Sequence, residues 1–169
     1  SQVGALTIMV DEFRDYARLP AARLAPLNLN SLVDDVLHLY ASTPNGAVIV
    51  SSLSPSLPEL LGDRTQLRQV IHNLVKNALE ATEHRQPPRI EVSTERLILP
   101  DGSPAVRLMV RDNGEGFVPA MLARAFEPYV TTKAKGTGLG LAIVREIVEE
   151  HGARIDVANW SESQDKPKG

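Results

Sequence analysis

Apolar residues at Val3, Leu6, Met9, Val10, Phe13, Tyr16 and Ala17 recur at helical spacing and predict an amphipathic helix over 3–19. Leu19-Pro20 ends it, because the residue before proline is pushed out of the helical region. A proline-containing linker then runs from Pro20 through Pro26. That helix either packs against its own domain or is cut from a longer coiled or bundled dimer. In the body of the chain, residues 27–160, Asn30 is placed to cap a helix whose apolar face is Val33, Val36, Leu37 and Tyr40. Ala47 to Ser51 reads as a short strand. Asp63-Arg64-Thr65-Gln66 resembles a capping box, and the stripe Leu67, Val70, Ile71, Leu74, Val75 and Ala78 behind it predicts a long helix. Arg89 to Leu97 and Ala105 to Arg111 alternate apolar and polar positions, with Asp101-Gly102 as a hairpin-type turn between them. A further helix is expected from Leu139 to His151, stopped by Gly152. Ala153 to Ala158 reads as another strand, and the polar stretch 161–169, with Pro167, as disordered. Strands beside several helices, without strict β-α-β alternation, predict an α+β sandwich with helices on one face.

Composition narrows the class without choosing a function. A length of 169 residues suits one domain with an appendage, able to bury roughly 70% of its unfolded surface. Hydrophobic content of 43% and charged content of 23% are those of a soluble globular protein. The net charge of −3 provides no basic footprint, so no nucleic-acid partner is expected. The chain has no cysteine, which excludes disulfides and thiolate chemistry. No apolar run approaches the roughly 18 residues that a membrane span needs, so direct membrane contact by these residues is not expected.

The chemistry concentrates in three segments. Gly136-Thr137-Gly138-Leu139-Gly140 places glycines at alternate positions directly before a helix. Glycine lets backbone N–H groups approach a ligand with no Cβ in the way, and a helix N-terminus beyond it favours an anion such as phosphate. The spacing is neither G-x-G-x-x-G nor G-x-x-x-x-G-K-[ST]. Upstream, Asn73 and Asn77 stand four apart on one helix face. Their amide oxygens suit Mg²⁺, a hard cation that shares its remaining positions with phosphates and water; otherwise they mark a polar helix edge. Between the two lies Asp112-Asn113-Gly114-Glu115-Gly116-Phe117, straight after a strand. A buried carboxylate there would accept a hydrogen bond from the exocyclic amine of adenine, unless the segment is an ordinary loop.

Taken together, Asn73-Leu74-Val75-Lys76-Asn77-Ala78, Asp112-Asn113-Gly114-Glu115-Gly116, Phe126-Glu127-Pro128-Tyr129 and Gly136-Thr137-Gly138-Leu139-Gly140 resemble the N, G1, F and G2 boxes of sensor histidine kinases, in their order and spacing. The resemblance covers most of residues 27–160. It implies the Bergerat ATP-binding fold of the GHKL superfamily: a two-layer α+β sandwich of a mixed β-sheet backed by helices, with ATP under a lid at about 119–135. It implies that Asn73 and Asn77 face Mg²⁺ and the phosphates and that Asp112 binds the adenine amine. Gly114 and Gly116 would shape the adenine pocket, while Gly136, Thr137, Gly138, Leu139 and Gly140 would meet the phosphates. Lys133, after Thr131-Thr132, is either a phosphate contact or a solvated lysine. Val10-Asp11-Glu12-Phe13, Tyr16-Ala17-Arg18 and Pro20 further resemble the nitrogen-regulation, NtrY-like kinases. In those proteins the matching segment ends the second helix of the dimerisation and phosphoacceptor domain.

Two departures qualify this expectation. None of His38, His72, His84 and His151 has the acidic and Asn/Thr-Pro context of an acceptor histidine, so surface or packing roles are expected for all four. The family pattern also closes with a further strand after the region matching Ala153–Trp160, where this sequence turns polar, and a sheet edge is expected to stay exposed there. The resemblance thus implies a domain map of 1–26 (end of a dimerisation helix and linker), 27–160 (catalytic ATP-binding domain) and 161–169 (polar tail). It implies a cytoplasmic ATP-binding domain of a homodimeric parent anchored in the bacterial inner membrane. The implied partners are the parent's own dimerisation domain and a response regulator. The runner-up is an ATPase of the same superfamily, as in the chaperone, gyrase and mismatch-repair enzymes. Those carry a glutamate general base where this chain has Asn73, whose amide takes no proton at neutral pH. An inert nucleotide-binding regulatory module is the third reading.

Overall fold

The structure, a computed structural model, describes residues 21–41, 46–116 and 140–159. The helix expected at 3–19 and the tail 161–169 lie outside them. In chain order the elements are β1 (Ala25–Leu27), α1 (Leu29–His38), β2 (Val48–Leu53), β3 (Leu60–Gly62), α2 (Arg64–Ala81), β4 (Arg89–Ile98), β5 (Pro104–Asp112) and α3 (Gly140–Glu150).

The main sheet has the order β2-β4-β5 and is mixed. β2 runs parallel to β4, in register Val48↔Arg89, and β5 runs antiparallel, in register Ile90↔Asp112. The expected β4–β5 hairpin forms, with Gly102 at φ +87° and the Asp101 carboxylate accepting from the Ser103 N–H at 2.9 Å. A second, two-stranded antiparallel sheet pairs β1 with β3. Neither strand was expected; β1 grows out of the segment read as a linker, and Pro26 pairs with Leu61.

α1 and α2 pack on one face of the main sheet. Leu29, Leu32, Val33 and Val36 from α1, Ile71, Val75 and Ala78 from α2, and Ile90 and Val92 from β4 form the core. The α2 stripe is wide enough to serve two neighbours, because Val70 points instead to Val144 and Ile147 of α3, with Leu67 and Leu74 half-buried beside them. This is the two-layer α+β architecture expected, with helices backing a mixed sheet.

The caps explain where helices start and stop. Asp63 caps α2, its Oδ1 accepting from the Gln66 N–H at 3.0 Å. α1 is capped by Asn28, whose Oδ1 accepts from the Ser31 N–H at 3.1 Å, and not by Asn30. The apolar face begins one residue after Asn28, at the buried Leu29, which draws the cap to the earlier asparagine. Asn30 fastens the helix to the sheet instead: its Nδ2 donates to the Ser54 carbonyl, and its Oδ1 accepts from Thr94 Oγ1 at 2.8 Å. α3 ends in a Schellman motif. Gly152 lies at φ +68°, its N–H donates to the Glu149 carbonyl (2.9 Å), and the Ala153 N–H donates to the Val148 carbonyl (3.0 Å).

Ala153 to Ala158 is not a strand. Its apolar signal has another cause: Ile155 packs against the Val70–Val144–Ile147 cluster between α2 and α3. A strand needs a ladder partner as well as alternation, and the described residues give this segment none; Ile155 anchors it by packing.

Candidate nucleotide site

Helix α2 carries or touches the candidate residues that the structure describes. Burial of Ile71, Val75 and Ala78 toward the sheet and Val70 toward α3 leaves a polar strip between the apolar faces. Asn73 and Asn77 occupy it, both half-buried. Asn73 Nδ2 reaches the carbonyl of Gly140, the first residue of α3, at 3.5 Å, at the outer limit of a hydrogen bond. The start of α3 therefore lies against the middle of α2.

The other end of α2 abuts the loop that follows β5. A Cβ on Gly114 would stand 2.5 Å from the Ala81 carbonyl oxygen and 2.9 Å from Asp112 Oδ1, so no side chain fits. Gly116 sits at φ +78°, and a Cβ there would meet Asn159 Oδ1 at 2.6 Å. At Gly114 the near atom is backbone, while at Gly116 it is the tip of a side chain and the positive φ is what favours glycine. Asp112 Oδ1 accepts from the Gly114 N–H at 2.8 Å, closing a tight turn. Its carboxylate is exposed, which corrects the expectation that it is buried. As the last residue of β5 it stands at the end of the ladder rather than beneath it.

From Asn73 to Ala81 the helix rises about 12 Å. The loop 112–116 and the start of α3 thus lie against two stations on one rigid element. Lys133, Gly136, Thr137, Gly138, Leu139, the segment 126–129 and the whole of 119–135, where a lid is expected, fall outside the described residues.

Sequence reasoning missed Asn113. Its N–H donates to the Arg89 carbonyl (3.1 Å), its Oδ1 accepts from the Arg89 N–H (2.9 Å), and its Nδ2 donates to the Pro87 carbonyl (3.0 Å). The signal available was an Asn-Gly pair directly after a strand.

The histidines take structural places, as expected. His38 Nδ1 donates to the Asp34 carbonyl at 2.7 Å, and His84 is exposed beside Glu83. His72 Nδ1 lies 2.7 Å from the Tyr40 hydroxyl. Burial, and then the Glu80 carboxylate, push that phenol above its ordinary value. His151 bonds the cap of α2, Asp63.

Comparison with known proteins decides the family. Residues 62–169 match the model of the histidine kinase-, DNA gyrase B- and HSP90-like ATPases. The chain belongs to this family. Its fold is that of a Bergerat-type ATP-binding domain of the histidine-kinase kind. An NtrY-like sensor histidine kinase of Rickettsia typhi is 38% identical over 151 residues, covering 89% of this chain and 24% of that protein. This chain therefore spans about a quarter of the length of that curated relative. Among solved structures, the nucleotide-free catalytic domain of histidine kinase ThkA is 30% identical with a TM-score of 0.66, covering 76% of this chain and 82% of that one. Full-length ShkA in complex with AMPPNP is 32% identical with a TM-score of 0.70, covering 88% of this chain and 31% of that one. ThkA in complex with the response regulator TrrA aligns at 26% identity and a TM-score of 0.71, covering 90% of this chain and 42% of that one.

The residues of this ATP-binding domain fit Mg²⁺-ATP. Two half-buried amides offer hard oxygen ligands for a cation whose other positions phosphates would fill. Gly114 is drawn against the Ala81 carbonyl and Gly116 takes a positive φ of +78°, so glycine backbone lines the loop at both positions. Among the described residues no helix is long and apolar enough to cross a membrane.

Proposed function

We propose that this chain is the catalytic ATP-binding domain of a two-component sensor histidine kinase. It transfers the γ-phosphoryl group of ATP to Nε2 of a histidine on a dimerisation helix outside the chain, for relay to a response regulator. The bond from the γ-phosphorus to the bridging oxygen breaks, a P–N bond forms, and ADP leaves. The observation that carries the reading is the arrangement on α2, where Asn73 meets the start of α3 and Ala81 meets the Asp112–Gly116 loop.

On this reading Asp112 accepts from the adenine amine, Gly114 and Gly116 shape the base pocket, and Asn73 and Asn77 hold Mg²⁺. Gly136, Thr137, Gly138, Leu139 and Gly140 present backbone N–H groups to the phosphates, and Lys133 adds a cation. When bound, Mg²⁺ supplies neutralisation of the charge on the transferring group. The chain's own residues position the nucleotide, and no side chain of this site is asked to take a proton. Asn73 stands where an ATPase of the superfamily carries its glutamate, which favours transfer to histidine over hydrolysis.

Identity to the Rickettsia NtrY-like protein and to the nitrogen regulation protein NtrY of Azorhizobium caulinodans supports a nitrogen-regulation subfamily. Residues 1–26 are then the end of a dimerisation helix with its linker, 27–160 the catalytic domain and 161–169 a tail. The parent is a homodimer anchored in the inner membrane with this domain in the cytoplasm. The ThkA–TrrA complex supports a response regulator as partner.

Calorimetric titration with ATP and Mg²⁺, with released ADP followed in the same sample, tests the proposal. Binding with negligible ADP is the expected result. Steady ADP production would move the reading to an ATPase, and absence of binding by a folded chain to an inert module.

A further inference from the structure

We infer that Asn113 is the positioning residue of the adenine contact: its carboxamide ends the β4–β5 ladder and so fixes where Asp112 presents its carboxylate. The inference rests on the reading of Asp112 as the residue that binds the adenine amine.

In an antiparallel hydrogen-bonded pair, two residues exchange both main-chain N–H···O bonds. Ile90 and Asp112 are the last register partners of β4 and β5. One step further, only half of the exchange is made by main chain: the Asn113 N–H donates to the Arg89 carbonyl. The return bond, from the Arg89 N–H, goes to the Asn113 side-chain oxygen at 2.9 Å. The carboxamide stands in for a backbone carbonyl, so the main chain leaves the sheet at residue 113 while Arg89 stays satisfied. The other half of the amide, Nδ2, donates to the Pro87 carbonyl at 3.0 Å and extends the tie past the start of β4.

Asp112 is therefore fixed from both sides. Behind it the ladder holds β5 to β4; ahead of it residue 113 is fastened to β4 and the Gly114 N–H is bonded to Asp112 Oδ1. Both functions of the amide are used, on a side chain with one methylene. Aspartate keeps an acceptor for Arg89 but sets a carboxylate oxygen against the Pro87 carbonyl. Alanine supplies neither bond, and glutamine is one methylene too long to reproduce both from the same backbone. The side chain is exposed, so the requirement comes from hydrogen-bond geometry and not from packing.

The test compares affinities for Mg²⁺-ATP and Mg²⁺-ITP in the whole chain. ITP shares the ribose and triphosphate of ATP but carries an oxygen in place of the exocyclic amine. Asn113→Ala and Asn113→Asp are measured beside wild type and Asp112→Asn. Expected is a fall of about tenfold in the ATP-to-ITP affinity ratio in both Asn113 variants, as for loss of one charge-assisted bond, with ITP affinity nearly unchanged. An equal loss for both nucleotides would mean general loosening of the loop and would overturn the inference. An unchanged ratio in the Asn113 variants beside a collapsed ratio in Asp112→Asn would also overturn it, leaving the adenine reading intact. An unchanged ratio in Asp112→Asn would sink the adenine reading itself, and Asn113 would have nothing to position. If Asn113→Ala does not fold, Asn113→Asp alone decides.

Discussion

The Nε2 atom of His151 accepts a hydrogen bond from the backbone N–H of Asp63 at 2.9 Å, across 88 positions of sequence. The other ring nitrogen, Nδ1, lies 2.8 Å from the Ile147 carbonyl, which accepts only if Nδ1 carries the proton. The pairing therefore assigns a neutral ring protonated at Nδ1. It ties the end of α3 to the start of α2, the two helices that share the Val70–Val144–Ile147 cluster.

Replacing His151 with alanine removes the acceptor for the Asp63 N–H, which α2 does not satisfy internally. A loss of about 1–3 kcal/mol in unfolding free energy is expected. Urea denaturation should show a lower midpoint with an unchanged slope; an unchanged midpoint would show that the bond contributes nothing net.

Asp63 itself should govern part of the acid limb of stability. The Arg23 N–H, then the Gln66 N–H, hold its carboxyl below the ordinary carboxylate value. A depressed folded value means that the stabilisation is complete above the unfolded value of about 4 and is lost as pH falls through the folded one. Asp63→Ala should lose about 1 kcal/mol at neutral pH through the missing cap. Asp63→Asn should keep the cap and flatten the acid limb. Thermal melts between about pH 2 and pH 6 distinguish the two.

Two glycines offer opposite outcomes. Gly114→Ala drives a Cβ to 2.5 Å from the Ala81 carbonyl, so the loop must leave the helix. ATP affinity is expected to drop about tenfold or more, with a stability loss of about 1–3 kcal/mol. At Gly140 a Cβ meets nothing within 4 Å, and alanine favours the helix by up to about 1 kcal/mol. Gly140→Ala should therefore leave the fold as stable or more so while weakening ATP binding; undiminished affinity would remove Gly140 from the phosphate site.

Asn77→Ala should remove the Mg²⁺ dependence of ATP binding. Titrations with and without the metal check this. A variant that keeps the dependence would place the cation elsewhere.

What could be read from the sequence was whatever is signalled locally and repeatedly. The Asp63 cap and the six-residue stripe behind it announced α2, and Gly152 announced the end of α3. β1 and β3 escaped because three residues show no period. Asn28 and Asn30 are equivalent as letters; only the burial of Leu29 separates the cap from the fastener. Ala153–Ala158 misled because packing of Ile155 mimics strand alternation. At the site, the motifs identified residue types, but Asp112's exposure and Asn113's bonds to Pro87 and Arg89 depend on where β4 lies, which no local pattern contains.

The parallel pairing of β2 with β4 bears on how the chain reaches its native state. A parallel pair admits no tight turn, and the connection here runs through β3 and the whole of α2. The central sheet therefore closes only after a long loop has been ordered, a high-contact-order step that slows folding. Because the helix bearing Asn73 and Asn77 lies inside that loop, a chain with β2 and β4 paired has already had to accommodate it. Assembly of the sheet and formation of α2 are then expected to share a rate-limiting barrier, and substitutions that unsettle α2 to slow refolding of the whole domain.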